Sequence, residues 1–379
     1  MNLQGKTVAL VGRMVANSQA LGALKTGLEQ ASATVRTLLG DAKGVLTVTD
    51  DQLRAAIVGA DMAVVGMGHP ENVAGEEFRA AMMCRELGVP YWMYADNPVF
   101  TGGVLRRPWF ANAISAAAGV FVPKATDADD AKQCMPLLRV IAAGNPTHED
   151  MGRVGLSRKE AQEKYKVQDY ERVMLVSFTK DPTLNKQIAA AAICAAGENN
   201  KYDWEVFLCM HPGDPSSTVD YAEFTKEDSM PWNVTVNLAI SPKAAKVQNE
   251  KFAGSDAVPP LSTVAGDIDG DRFILVEATE PLVDIADVII DPTGSAMTAR
   301  SAMHRPNHGI RVITVFTPDG LKRAGLTKPE DAEFAKDGTA PTVMINGPTD
   351  YQKLAAAIQG DFSICREQQE KLYVVPPKG

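Results

Sequence analysis

Short apolar, β-branched runs alternate with helix-like segments along most of the chain, and this rhythm constrains the fold more than any other feature. LysThrValAlaLeuValGly at 6–12 is a strand-like run ending in Gly, and 18–30 then sets Leu21, Leu24 and Leu28 at helical spacing. The pattern continues with a strand at 34–39, a helix at 50–57 capped by Asp50, and a buried strand at 61–68. A helix at 76–87 stopped by Gly88, a strand at 89–96, a helix at 113–118 and a strand through GlyValPheValPro complete this stretch. Strands separated by helical crossovers pair in parallel, so the expected class is α/β with a mostly parallel sheet.

The texture changes near position 150. AlaGlyAsnProThrHisGluAsp at 143–150 is rich in turn formers, and Ser157 opens a polar helix with Lys159, Glu160 and Glu163. The rhythm restarts with strands at 172–178 and 204–210 around an Ala-rich helix at 185–196. Residues 213–270 read as less regular, after which strands at 272–276, 286–291 and 311–316, and a helix at 296–303, restore the order. Two more helices are expected at 350–372. At about 150 residues per domain, 379 residues fit two domains. The expected division is 1–150, 151–348 and a helical tail at 349–379, with two Rossmann-like, doubly wound parallel-sheet domains facing a cleft.

Composition excludes whole classes. An apolar share of 45% and a charged share of 22% do not fit a disordered chain, a collagen-like repeat or a disulfide-stapled miniprotein. A net charge of −9 opposes general affinity for nucleic acid or anionic membranes. The five cysteines lack CxxC spacing and no export signal is evident, which points to reduced thiols and a cytoplasmic location.

In an open parallel sheet, ligands bind where strands run into helices, so the loops after strands hold the candidate chemistry. Thr293, Gly294 and Ser295 lead directly into a helix, where hydroxyls and backbone N–H groups attract an anion. Ser177 and Lys180 follow one strand, and His211 and Gly213 of HisProGlyAsp follow the next. AlaGlyAsnPro at 143–146 sits at the expected hinge. Each of these also reads as an ordinary cap, turn or surface charge. No GlyxGlyxxGly, Walker-type loop or GlyxSerxGly elbow is present. His304 and His308 are separated by Pro306, and AspIleAspGlyAsp at 267–271 has Ala278 where a calcium loop needs Glu, so no metal site is expected.

The order of these segments resembles glycosyltransferases of the GT-B class, with the related nucleotide-sugar 2-epimerases and glycerophosphotransferases. GlyAsnProThrHisGluAsp at 144–150 with the helix after Ser157 is similar to their interdomain passage, and HisProGlyAsp at 211–214 to a second-domain HisPro turn. The stretch 286–306, with its spacing from Gly294 to Pro306, is similar to the donor-site strand, Gly-Ser turn and helix. The resemblance implies a nucleotide-diphosphate sugar, UDP-sugar first among them, as co-substrate, with no other cofactor. The second domain would hold it through Ser177, Lys180, His211, Gly213, Thr293, Gly294, Ser295 and Arg300. Many members carry a ribose-binding Glu early in that helix, and the aligned position here is Ala299.

The implied reaction is metal-independent transfer of the sugar to an acceptor hydroxyl. Lys180 and Arg300 would stabilise the departing diphosphate, and Asp96 would act as base ahead of His69 or Glu71. A 2-epimerase or a non-catalytic GT-B-like binding protein are the alternatives. The acceptor is open between a small molecule, a glycan and a modified DNA base, and the protein between monomer and homodimer. Arg106 and Arg107 with Trp109 and Phe110 form the one basic-aromatic cluster to test for nucleic acid, or a loop packed on the hinge.

Overall fold

The first apolar run becomes β1 (Thr7–Gly12), whose alternate residues enter two different cores. Ala9 and Val11 pack with Ile57 and Ala80 on one face, Val8 and Leu10 with Ala20 and Leu21 on the other. A strand buried on both faces belongs to a sheet covered by helices on both sides. The computed structural model describes residues 3–41, 45–68, 75–96, 112–113, 115–147, 155–226, 230–269, 274–293, 297–305, 309–323, 326–347 and 350–373. The chain divides into two compact units, Met1–Asp150 and Met151–Gly379.

In unit 1, β1 is joined by β2 (Thr34–Leu39), β3 (Met62–Gly66), β4 (Tyr91–Tyr94), β5 (Gly119–Val122) and β6 (Val140–Ala142). All pairings are parallel, in the order β2-β1-β3-β4-β5-β6. Helices α1 (Val15–Gln30), α2 (Asp50–Ile57), α3 (Gly75–Glu86) and α4 (Ala125–Cys134) accompany the sheet. The cap of α2 is Thr49 rather than Asp50: its hydroxyl accepts the Gln52 N–H and the Gln52 side chain accepts the Thr49 N–H, a reciprocal box. Residues 115–118 form turns and bends instead of the expected helix.

Unit 2 repeats the architecture with β7 (Glu171–Ser177), β8 (Asp203–Cys209), β9 (Val234–Ile240), β10 (Ile268–Asp269), β11 (Ile274–Val276), β12 (Val288–Asp291), β13 (Arg311–Phe316) and β14 (Thr342–Met344). The order is β10-β11-β9-β8-β7-β12-β13-β14, parallel except for β10 against β11. Its helices are α5 (Arg158–Tyr165), α6 (Pro182–Glu198), α7 (Pro242–Lys251), α8 (Thr279–Leu282), α9 (Met297–Met303), α10 (Pro318–Arg323), α11 (Glu333–Lys336), α12 (Tyr351–Gln359) and α13 (Ser363–Tyr373).

The stretch that read as irregular contains both β9 and α7. Thr235 and Asn237 interrupt the apolar run of β9, which hides it, whereas Ser241 followed by Pro242 is a sound helix start. The described helices of the expected tail at 349–379 pack on unit 2. Leu354, Ala355 and Ile358 of α12 join Ile188 and Ala192 of α6 in one core of unit 2, and the buried Gln369 side chain of α13 donates to the Thr339 carbonyl.

In each sheet the strand order reverses beside one strand. β1 lies between β2 and β3, and β7 between β8 and β12. Loops leaving neighbouring strands at such a point diverge to opposite faces and open a crevice at the carboxyl edge.

Candidate functional site

The crevice of unit 2 is a cavity of about 570 Å³ at the carboxyl ends of β7, β8, β9, β11 and β12. Six hydroxyl side chains line it: Ser177, Thr179, Ser241, Thr279, Thr293 and Thr298. Lys180 and His211 supply the remaining polar chemistry, with Phe178, Met210 and Pro212 as apolar wall. The size is that of an ordinary small-molecule site, and so is the mix of apolar wall with convergent donors.

The loop after β7 is held by a buried Asn. Asn185 Oδ1 accepts the Thr179 N–H at 2.7 Å, and its Nδ2 donates to the Asp214 carboxylate at 2.8 Å. Tyr221 OH donates to the same Asp214 oxygen at 2.7 Å, and burial pushes this phenol up to about 12. The three side chains therefore tie the β7 loop to the HisProGlyAsp turn after β8. Asp181 caps α6 by accepting the Thr183 and Leu184 N–H groups, with Pro182 at the first helical position. The Ser177 hydroxyl is buried with no hydrogen-bond partner among the described residues, at a position that lines the cavity.

His211 is held in one tautomer. The Gly213 N–H donates to its Nδ1 at 2.8 Å, which leaves the ring hydrogen on Nε2. Burial and the neighbouring Lys180 charge lower its pKa from 6.5, so the ring is a neutral N–H donor at physiological pH. Gly213 is needed for this fit: a Cβ there would stand 3.0 Å from Lys180 Cε and 3.3 Å from the His211 ring.

After β12, the wholly buried Asp291 accepts both the N–H and the hydroxyl of Thr293, each at 2.8 Å, which shapes the turn leading toward α9. Gly294 and Ser295 lie outside the described residues. Arg300, expected as a diphosphate ligand, is placed elsewhere. It is buried against Glu333 through paired guanidinium–carboxylate bonds, one of 2.8 Å, and does not line the cavity. Ala299 is buried in the core with Ala302 and Phe334, and among the described α9 side chains it is Thr298 that lines the cavity.

In unit 1, Asp96 lies just beyond β4, and its backbone carbonyl accepts the Asn145 Nδ2–H at 3.1 Å. His69, Glu71, Arg106, Arg107 and Trp109 lie outside the described residues. Sequence reasoning missed the dominant titratable group here, Glu77. Its carboxyl is buried, accepts the Arg13 N–H at 2.9 Å and the Gly68 N–H at 2.8 Å, and is pushed up to about 7 by that burial. A signal existed: Glu77, Ala80, Ala81 and Cys84 recur at helical spacing on the buried face of α3.

Because the folded-state value of Glu77 lies above the ordinary 4.5, the folded unit binds the extra proton. Stability is therefore expected to fall as pH rises from about 4.5 to about 7 and then to level off. Glu205, also pushed up to about 7 by burial, adds a slope of the same sign. In thermal melts across this range, Glu77→Gln is expected to flatten part of the decline; an unchanged slope would contradict the assignment.

No protein-family model matches the sequence, and no curated protein matches it. Solved structures do. The S. aureus MnaA–UDP co-structure aligns at a TM-score of 0.52 and 13% identity, over 96% of this chain and 91% of that one. Arabidopsis thaliana UGT89C1 complexed with UDP-L-rhamnose aligns at 0.54 and 10%, over 97% and 93%. Phytolacca americana UGT2 complexed with UDP-2fluoro-glucose and pterostilbene aligns at 0.50 and 11%, over 97% and 94%. The chain has the GT-B fold, as two Rossmann-like α/β units in series.

Proposed function

We propose that this GT-B chain is a nucleotide-sugar-dependent glycosyltransferase whose donor, a UDP-sugar, binds in the unit 2 cavity. The observation that carries this reading is the cavity itself: six hydroxyls, one lysine and a neutral imidazole donor converge at the β7–β12 switch point. Hydroxyls and N–H donors suit ribose and phosphate oxygens, and Lys180 supplies the positive potential that a diphosphate needs. The neutral His211 adds an N–H without spending a proton on its own charge.

In the proposed step, an acceptor hydroxyl oxygen forms a bond to the anomeric carbon as the bond to the β-phosphate oxygen breaks. The electron pair leaves on the diphosphate, where Lys180 and His211 meet it, and the hydroxyl proton passes to a general base. Arg300 has no part in this step, since its charge is already matched by Glu333. Acceptor candidates are a small molecule, a glycan or a modified DNA base.

A 2-epimerase is the second reading, favoured by a second carboxyl, Glu77, close enough to Asp96 to be raised by its charge. Incubation with UDP-, GDP-, TDP- and CDP-sugars separates the readings. Donor-dependent release of nucleoside diphosphate supports transfer, epimer formation without release supports the second reading, and binding with neither event overturns both. Calorimetric titration with UDP tests the cavity directly. Lys180→Ala removes a charge-assisted bond of about 1.5–3 kcal/mol and is expected to weaken UDP binding roughly 10- to 100-fold. Unchanged affinity in that variant would move the donor away from this cavity.

A further inference from the structure

The carboxyl of Glu77 occupies the switch point of unit 1. Arg13 follows β1 and Gly68 follows β3, the two strands whose loops diverge there, and both backbone N–H groups point to this one side chain. Asn17 of α1, also fully buried, adds its Nδ2 to Oε1 at 3.4 Å. Strand-end N–H groups in such a crevice ordinarily await an anion from a ligand. Here the protein supplies the anion itself. Gly66 makes the room: a Cβ at that position would lie 2.5 Å from Glu77 Oε1 and 3.0 Å from Asn17 Cγ.

We propose that Glu77 is a positioning residue of unit 1, clamping the chain after β1 at Arg13 to the chain after β3 at Gly68 in one arrangement on which turnover depends. The role in turnover rests on the transferase reading above; the clamp does not. Among the described residues, the charged groups around it are Arg13 on the β1 loop, Glu76 on α3 and Asp96 past β4. Arg13 is engaged through its guanidinium with Glu76 at 2.9 Å, so it neutralises that carboxylate and not Glu77. Ionised Glu77 accepts both N–H groups as charge-assisted bonds, whereas the protonated form accepts them weakly. The clamp therefore tightens as Glu77 loses its proton. The same ionisation lowers global stability, because the desolvation of the buried carboxylate outweighs these bonds.

Amide hydrogen exchange on wild type, Glu77→Gln and Glu77→Ala reads the clamp without reference to catalysis. At about pH 8.5, after correction for intrinsic rates, the Arg13 and Gly68 amides are expected to be about fivefold or more better protected in wild type than in Glu77→Gln. Wild-type protection is expected to fall toward that of the Gln variant near pH 6. Val64 and Val65 in the core of β3 are the folding control and remain protected in Glu77→Gln, even where Glu77→Ala unfolds. In the second arm, UDP release from UDP-glucose with water as acceptor is followed across the same range. Wild type is expected to show an inflection near pH 7 that Glu77→Gln lacks, with the Kd for UDP unchanged. Equal protection of the two amides in wild type and Glu77→Gln overturns the clamp. An inflection retained in Glu77→Gln overturns its role in turnover. Absence of UDP release from wild type, with the exchange result intact, counts against the transferase reading and leaves the clamp standing.

Discussion

Glu333→Ala is expected to destabilise unit 2 by about 3–5 kcal/mol, because it strands a buried guanidinium. Arg300 and Glu333 are both almost fully enclosed and meet side by side, with the Arg300 guanidinium 5.4 Å above the Phe334 ring. Removing the carboxylate takes both of its bonds from a guanidinium that is almost fully enclosed. For a unit of this length, such a loss lowers Tm on the order of 10 °C, which calorimetry would resolve. The double variant Arg300→Met with Glu333→Leu separates pairing from packing. Its stability is expected close to wild type, since a buried ion pair replaced by apolar side chains of similar volume is often neutral. A drop of less than about 1 kcal/mol for Glu333→Ala alone would show that water reaches Arg300.

The second large effect belongs to Gly119, at the start of β5. A Cβ there would stand 2.5 Å from the Arg139 carbonyl oxygen and press against Cζ3 and, at 2.9 Å, Cε3 of the Trp92 ring. Neither neighbour can give way cheaply. The Arg139 carbonyl accepts the Val120 N–H, which ties β5 to the chain entering β6. Trp92 stacks on Phe121 with ring centroids 4.5 Å apart, and the Arg139 guanidinium covers it at 5.3 Å. Gly119→Ala is therefore expected to cost about 2–4 kcal/mol through overpacking. Displacement of the indole would appear in near-ultraviolet circular dichroism as loss of the stacked Trp92 signal. Wild-type spectra together with wild-type Tm would mean that the strands part without penalty.

The legible and the hidden parts of the molecule differ for physical reasons. Strands buried on both faces, such as β3 and β7, leave continuous apolar runs, and their loops could be placed by inspection. Hence Ser177, Lys180, His211 and Thr293, chosen from loop position alone, meet at one cavity. Arg300 went astray because residue type says nothing of direction. Seven helical residues of α9 carry Thr298 to the cavity and turn Ala299 and Arg300 into the interior. Asn185, Asp214 and Tyr221, which hold the cavity's loops together, belong to three different segments and share no local pattern.

The βα alternation by itself determined that this chain builds parallel sheets with strand-to-helix loops on their carboxyl edges, because periodicity is a local property of covalent neighbours. Which charges line a cavity and which face one another was decided only by tertiary structure. Strand order set the two switch points, one an open cavity beside Lys180 and the other filled by Glu77. Burial then set the protonation of Glu77 and His211, since desolvation acts on a group only after residues distant in sequence have closed around it.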